Sequence, residues 1–458
     1  MEVRMLRDAC HFERVLLSRA KPMSASTWTL RAIAVVCSML LTATAWADLL
    51  FTVNSAADGP DYDLLDGKCE TAPAAGKTCT LRAAVMQANR VIGTDVTIEL
   101  KAGLYILGPA LNTDGEDSGD LNLIAPTSGN PVITIAGKGS DTTIIDGNTT
   151  DRIIAVDAGR TVVISGVTLR NGKVAVSGRG GGILNRGVLT LSNVVLSDNY
   201  ASDFGGGVYN AYAQLGIYDS TITSNSTQGV GGGISSFAGG LTIVRSTIAM
   251  NEAYDAAGID NSSVCVIVNS TISGNKAQAG AGGFNNNITV DFYNSTIVFN
   301  ETNMGGTGDS GAGVFNNVLG SPGATVNLHN SIVAGNVDRY PYTAPSASDC
   351  FGPLNSYGRN AFFTVNNCQI TQVGAGGPGQ IVSLSELGPL RDNGGPTKTH
   401  ALVPPSDLID GTEPTVECTN LNGPLVIDQR GKPRVAGARC DIGSFEYDPN
   451  QIFFNGFE

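Results

Sequence analysis

Between Leu189 and Leu328 the apolar positions follow two superposed rhythms. In short runs they alternate with polar residues, as in Leu189-Thr190-Leu191, Leu241-Thr242-Ile243 and Val326-Asn327-Leu328, which is the two-residue period of a strand with one buried face. Over a longer range, Ser-Thr-Ile-x-x-Asn stands at Ser246 to Asn251 and again at Ser270 to Asn275. The Asn recurs at Asn171, Asn199, Asn225, Asn251, Asn275, Asn300 and Asn336, at intervals of 28, 26, 26, 24, 25 and 36 residues. Three positions before the last six stand Leu196, Ile222, Ile248, Ile272, Ile297 and Val333. A second series runs in step, with Gly before Ile183, Val208, Ile234, Ile259, Phe284 and Val314. Asn or Ser follows two residues later.

A period of about 25 residues holds three short strands and their turns, and each coil then advances by one strand spacing, roughly 4.8 Å. Helical repeats carry far less Gly and Asn. Crossovers between parallel strands are right-handed. The pattern therefore predicts an all-β chain, a right-handed parallel β-helix with a short N-terminal helical cap and a disulfide-bearing C-terminal end region. In that register each Ile stacks inside on the Ile of the coil below. Each ladder Asn (Asn199, Asn225, Asn251, Asn275 and Asn300) is expected at a corner in left-handed geometry, its amide bonded to the next. Thr221, Thr247, Thr271 and Thr296 should form an outward column. It lacks the second Thr column of a flat ice-binding face.

The organisation expected is a signal peptide over 1–47, a cap over 48–95, the β-helix over 96–345, final coils and a C-terminal region over 346–450, and a short tail over 451–458. Arg31, the apolar run Ala32 to Leu41 and the small-x-small site Ala45-Trp46-Ala47 carry the signal-peptide reading, with Met23 as the expected start. The chain has 458 residues, 58 Gly and a formal charge of −13. Without residues 1–47 it keeps 22 basic and 38 acidic residues, net −16, which argues against nucleic acid and anionic membranes as partners. No other stretch has the apolar length of a membrane span. Seven cysteines remain after cleavage. In an exported chain Cys69 with Cys79, Cys350 with Cys368 and Cys418 with Cys440 read as local disulfides. A zinc site is the alternative, supported by neither a CxxC pair nor a nearby His. Cys265, within "VCVIV", reads as a buried hydrophobe.

Three segments resemble known families. Phe51 to Asn89, with Cys79-Thr80-Leu81-Arg82-Ala83-Ala84, resembles the CSLREA domain that opens many exported bacterial β-helix proteins, with Thr80 and Ala83 in place of the usual Ser and Glu. Its Leu81, Val85 and Ala88 would form one face of a short helix covering the first coil. Leu387 to Glu446, with "LRDNGGPTKTHALVPPSDLIDG", "DQRGKPRV" and "CDIGSFE", resembles the choice-of-anchor Q domain. The central repeats are similar to those of polymorphic outer membrane proteins, with Ile for Phe. Together these imply a pectin-lyase-like β-helix at the outer cell surface or secreted from a bacterium. None implies an activity.

The chemistry legible in the residues is sparse. A hydrolase needs two carboxylates about 5–9.5 Å apart, yet the row Asn193, Asp219, Arg245, Asn269, Asn294, Asn330 sets Asp219 beside Arg245, and the row Tyr200, Ser226, Glu252, Lys276, Glu301 alternates in sign. Both read as charge pairing between coils. Asp114, Glu116, Asp117 and Asp120 are weak calcium candidates that lack the calcium-loop spacing. His329 and His400 stand outside any catalytic context. No catalytic residue and no cofactor is expected. The expectation is an exported non-catalytic surface protein, adhesin-like or structural, binding an extracellular polysaccharide or surface protein. A polysaccharide lyase or glycoside hydrolase is the alternative.

Overall fold

A computed structural model describes residues 48–72, 78–109, 116, 119–303, 311–339, 345–374, 380–381, 383–412, 418–420 and 423–450. The signal segment, Asp114, Asp117 and the 451–458 tail lie outside the described residues. The chain winds as a right-handed parallel β-helix whose strands stack into sheets of 17, 11 and 8 members, here called A, B and C. One coil runs Ile183–Asn185 and Val188–Ser192 in sheet A, Val195–Ser197 in sheet B and Tyr200–Ala201 in sheet C, then re-enters sheet A at Val208–Tyr218.

The long-period pattern positions the core. Leu196, Ile222, Ile248, Ile272, Ile297 and Val333 are register partners in successive coils of sheet B and are buried. Alternation places Leu189, Leu215, Leu241, Cys265, Val290 and Val326 in a second interior stack from sheet A. Cys265 is a free, buried thiol.

Polar corners hold the coils in register through three internal ladders. Asn199, Asn225, Asn251, Asn275 and Asn300 each donate a side-chain N–H to the Oδ1 of the next, at 2.9–3.0 Å, and the chain ends Asn300 to Asn336 to Asp349. The same Oδ1 atoms accept the backbone N–H of the preceding Asn. A second corner chains Asn185, Asn210 and Ser236, then Asn261, Asn286 and Asn316. At the third, the Ser246, Ser270, Ser295 and Ser331 hydroxyls accept backbone N–H groups from the coil before. The Ser of the Ser-Thr-Ile repeat thus has a role that the pattern alone did not reveal.

Asn171 carries the expected left-handed geometry, with φ of 59°, but in the rest of the series it falls elsewhere. Positive φ is carried by the residue just before each ladder Asn, Asp198, Ser224, Met250, Gly274, Phe299 and Gly335, and by Asn193, Asp219, Arg245, Asn269, Asn294 and Asn330. The ladder Asn itself needs a conformation that turns its amide along the axis, so its neighbour absorbs the bend.

The N-terminal helix Leu81–Ala88 closes the first coil, capped by Thr80, whose hydroxyl accepts from Ala83 N–H at 3.1 Å. All eight residues are buried, not one face alone. Arg82 explains this. Its guanidinium grips Asp58 at 2.7 and 2.9 Å and caps the Gly119 and Asp120 carbonyls at 2.7 and 3.1 Å, which ties the outer side of the helix to the first loops.

The described residues of the segment 387–447 fold back along the outside of sheet B. Gln429 donates to Thr247 and Thr397 and accepts from the Thr271 hydroxyl, Ser444 meets Thr271 and Thr296, and Arg434 reaches Asn269. The central Thr column is therefore buried, with Thr271 0% exposed. Its side chain points out of the helix into this arm, not into water, which corrects the solvent-facing reading. Disulfides join Cys69 to Cys79, Cys350 to Cys368 and Cys418 to Cys440. The last packs beside Val268 and Tyr293 at the arm's contact.

Candidate functional site

Stacked coils repeat every outward row, so a site appears where a row breaks its regularity. The outer face of the short strands that open each coil in sheet A does so. Its central column reads Leu184, Tyr209, Ser235, Asp260, Asn285, Phe315 and Phe351. Arg179, Phe204, Val230 and Asp255 run beside it as bridge partners. On the other flank Ala211 pairs with Phe237, and Phe237 with Ser262.

At the N-terminal end of this ribbon lies an open groove of about 460 Å³ lined by Arg152, Ser177, Arg179, Arg186, Tyr209 and Tyr212 among others. Tyr212 is 75% exposed and meets Phe237 edge-on at 5.2 Å. Its φ of 55° is unusual for a bulky residue. The kink lifts the ring out of the sheet, and Ala238 repeats it one coil on. Tyr209 and Phe204 lie 5.8 Å apart with the Arg179 guanidinium over both rings, at 5.5 and 5.3 Å. Tyr209 is buried beneath Arg179, so the open ring of the groove is that of Tyr212, beside the guanidiniums of Arg179 and Arg186.

Four coils along, Phe315 and Phe351 stack at 4.8 Å. Between these aromatic ends, Asp260 accepts from Ser235, Asn285 and Asn287 at 3.2, 2.9 and 3.3 Å. Burial pushes its carboxyl up to about 6. Asp255, one column over, is likewise raised by burial, and among the described residues its buried Oδ1 has no hydrogen-bond partner. Sequence spacing did not bring these two together, because it takes the strand register to align Asp255 with Arg179. The signal was present: Arg179, Phe204, Val230 and Asp255 are 25, 26 and 25 residues apart. The groove was missed for the same reason.

The residues singled out earlier go to other tasks. Glu116 pairs with Arg90, and its Oε1 accepts from Asn89 at 2.5 Å; Asp120 pairs with Arg152 at 2.6 Å. These two acids are turned to arginines, and no group of three metal-binding side chains stands among the described residues. Asp219 and Arg245 form a two-pronged ion pair at 2.7 and 2.6 Å, and Glu301 is shared by Lys276 and Arg339 at 3.6 and 2.9 Å. His400 donates from Nδ1 to Gly388 O at 2.7 Å, so Nε2 accepts from the Ser273 hydroxyl at 2.9 Å. Burial holds its imidazole down at about 4. With Ser273 and His400 both buried and a carbonyl as the second partner, the pair fastens the arm to the rod. His329 lies between Tyr293 and Tyr357, ring centres 4.2 and 4.5 Å away, and is also held neutral by burial, at about 4.

No protein-family model matches the chain, and no curated protein matches it. Among solved structures the chain is similar to pectate lyase Pel9A, at 15% identity and a TM-score of 0.48, over 88% of this chain and 98% of that one. A second likeness is to a pectin methylesterase in complex with a hexasaccharide, at 10% identity and a TM-score of 0.30, over 75% and 94%. Neither likeness bears on what this chain does. Among the described residues no helix is long and apolar enough to cross a membrane.

Proposed function

We propose that the protein is an exported, non-catalytic β-helix that binds an extracellular polysaccharide along the short-strand ribbon of sheet A, in an adhesin-like or structural role at the outer cell surface or outside the cell. The observation that carries this reading is the groove that sets the exposed ring of Tyr212 beside Arg179 and Arg186, with exposed Phe237 meeting Tyr212 edge-on at its margin. The disulfides fit an oxidising compartment, and the resemblance of both ends to exported β-helix proteins agrees with it. A strand spacing of roughly 4.8 Å lets successive sugars of an extended chain meet successive coils.

The test is glycan binding by the mature chain and by Tyr212→Ala and Phe237→Ala. Both side chains are exposed but meet edge-on, so each variant should lose about 1 kcal/mol of stability and remain folded while losing about tenfold in affinity, the worth of a stacked ring. Unchanged affinity in both, or no bound polysaccharide at all, would remove the reading. Polysaccharide processing is the second reading, favoured by the raised carboxyls of Asp255 and Asp260 within the same ribbon. It requires new chain ends that disappear in Asp260→Asn.

A further inference from the structure

The three arginines of the groove are not equivalent. Arg152 is committed: it pairs with the buried Asp120 at 2.6 Å, and its Nε donates to the Gly180 carbonyl at 3.0 Å. That fixes Arg152 beneath the floor, where it holds the backbone that carries Arg179. Arg186 approaches Asp157 at 3.8 Å, both side chains about half exposed, a contact that water and salt screen almost fully. Arg179 is different. It is exposed, it stands over two aromatic faces, and among the described residues no carboxylate lies within ion-pairing distance of it.

An exposed guanidinium keeps its hydration at little cost, and without an acid partner its charge stays free to meet a ligand. The chain as a whole carries net −13, so acids to pair it were abundant, yet the coils around Arg179 present Phe204, Tyr209 and Leu184 in their place. The aromatic faces keep the planar fork flat and displace water from one side of it, which strengthens a charge-assisted hydrogen bond formed on the other.

We infer, on the basis of the glycan-binding reading, that the groove selects an acidic polysaccharide: Arg179 forms a forked contact with a carboxylate or sulfate on the sugar, Arg186 adds a second positive charge, and Tyr212 takes the bare ring face beside it. Arg152 is a positioning residue. Selection is by guanidinium, so binding needs no metal ion to bridge ligand and protein. The charge-reading end lies three coils from Asp260, whose carboxyl would repel a second anionic group, so the acid group enters at the Arg179 end.

The experiment is titration calorimetry of the mature chain with four oligosaccharides of equal length: a polyuronate, the same chain methyl-esterified, a sulfated neutral glycan and the unsulfated form, each with chelator and with added calcium. Wild type should favour the charged member of at least one pair by about tenfold or more, with the preference falling as salt rises and indifferent to chelator. Arg179→Gln should abolish that preference, and Arg179→Lys should restore part of it because charge returns without the fork. Tyr212→Ala should weaken both members of the pair and leave their ratio. Which pair shows the preference tells carboxylate from sulfate. Equal affinity within both pairs, a preference that survives Arg179→Gln, or one that exists only with calcium would overturn the inference while leaving glycan binding standing. Failure of all four to bind would instead remove the binding reading on which it rests.

Discussion

Replacing Asn275 by Ala removes one link from the longest polar ladder without touching the outward surface. Its side chain makes four hydrogen bonds: it donates to Asn300 Oδ1 at 2.9 Å and to Ile248 O at 3.0 Å, and accepts from the backbone and side-chain N–H of Asn251 at 3.0 and 2.9 Å. Asn275 and Asn251 are both 0% exposed. The Asn251 backbone N–H then faces no acceptor and costs about 1–3 kcal/mol, while the three other bonds each forfeit about 0.5–1.5 kcal/mol net. Part of this is recovered if water enters, so about 3–6 kcal/mol is expected. The control is Lys276→Ala next door, which removes a 3.6 Å pair to Glu301 whose lysine is 59% exposed and which should cost about 0–1 kcal/mol. Urea unfolding followed by circular dichroism measures both. A cost for Asn275→Ala no larger than that of Lys276→Ala would refute the claim that the ladder carries the register.

Thr271→Asp and Ile272→Asp should fail in different ways: the first places a charge opposite Gln429 Oε1 and should free residues 387–447 to a protease at a cost of about 2–4 kcal/mol, while the second, inside the rod, should abolish its β signal. Equal loss of β signal in both would contradict the arm's separate docking. The pH dependence of melting should show Glu446, whose carboxyl is pushed up to about 8, first by burial and then by Asp441, against the pull of Arg434. A raised carboxyl stabilises fully below its unfolded value and the gain is lost as pH rises through the folded one, so stability should fall between pH 6.5 and 8. Neutral His329 and His400 act oppositely and lower, their contribution being lost only as pH falls from about 6.5 towards about 4. Glu446→Gln should flatten the upper slope, and an unchanged slope would exclude Glu446 as its source.

The rod was legible because its two periods are carried by chemistry that a stack enforces. An Ile or Asn at the wrong position would meet a coil above and a coil below, so Ile248 and Asn251 recur with little freedom. What the sequence left open lies where contacts cross between the rod and distant segments. Thr271 meets Ser444 across 173 residues, and nothing in the Thr column announces that a polar arm will cover it. The corner bend was misplaced by one residue because Asn tolerates left-handed geometry, yet here Arg245, Met250 and Phe299 adopt it, constrained by the coils on either side. The ribbon was overlooked for a related reason. Arg152 and Arg179 are 27 residues apart and Arg186 and Tyr212 are 26 apart, but the residue type is not kept from coil to coil as it is in the Ile and Asn series, so the spacing did not stand out.

The most direct test of the account is to incubate the mature chain with a panel of acidic and neutral polysaccharides and to follow, in one reaction, complex formation, side-chain footprinting of the exposed Tyr212 and Phe237, and new reducing ends or unsaturated products. The account predicts a complex with an acidic chain, protection of Tyr212 and Phe237 and no new ends after prolonged incubation. New chain ends that vanish in Asp260→Asn, or a complex whose footprint leaves Tyr212 and Phe237 unprotected, would contradict it.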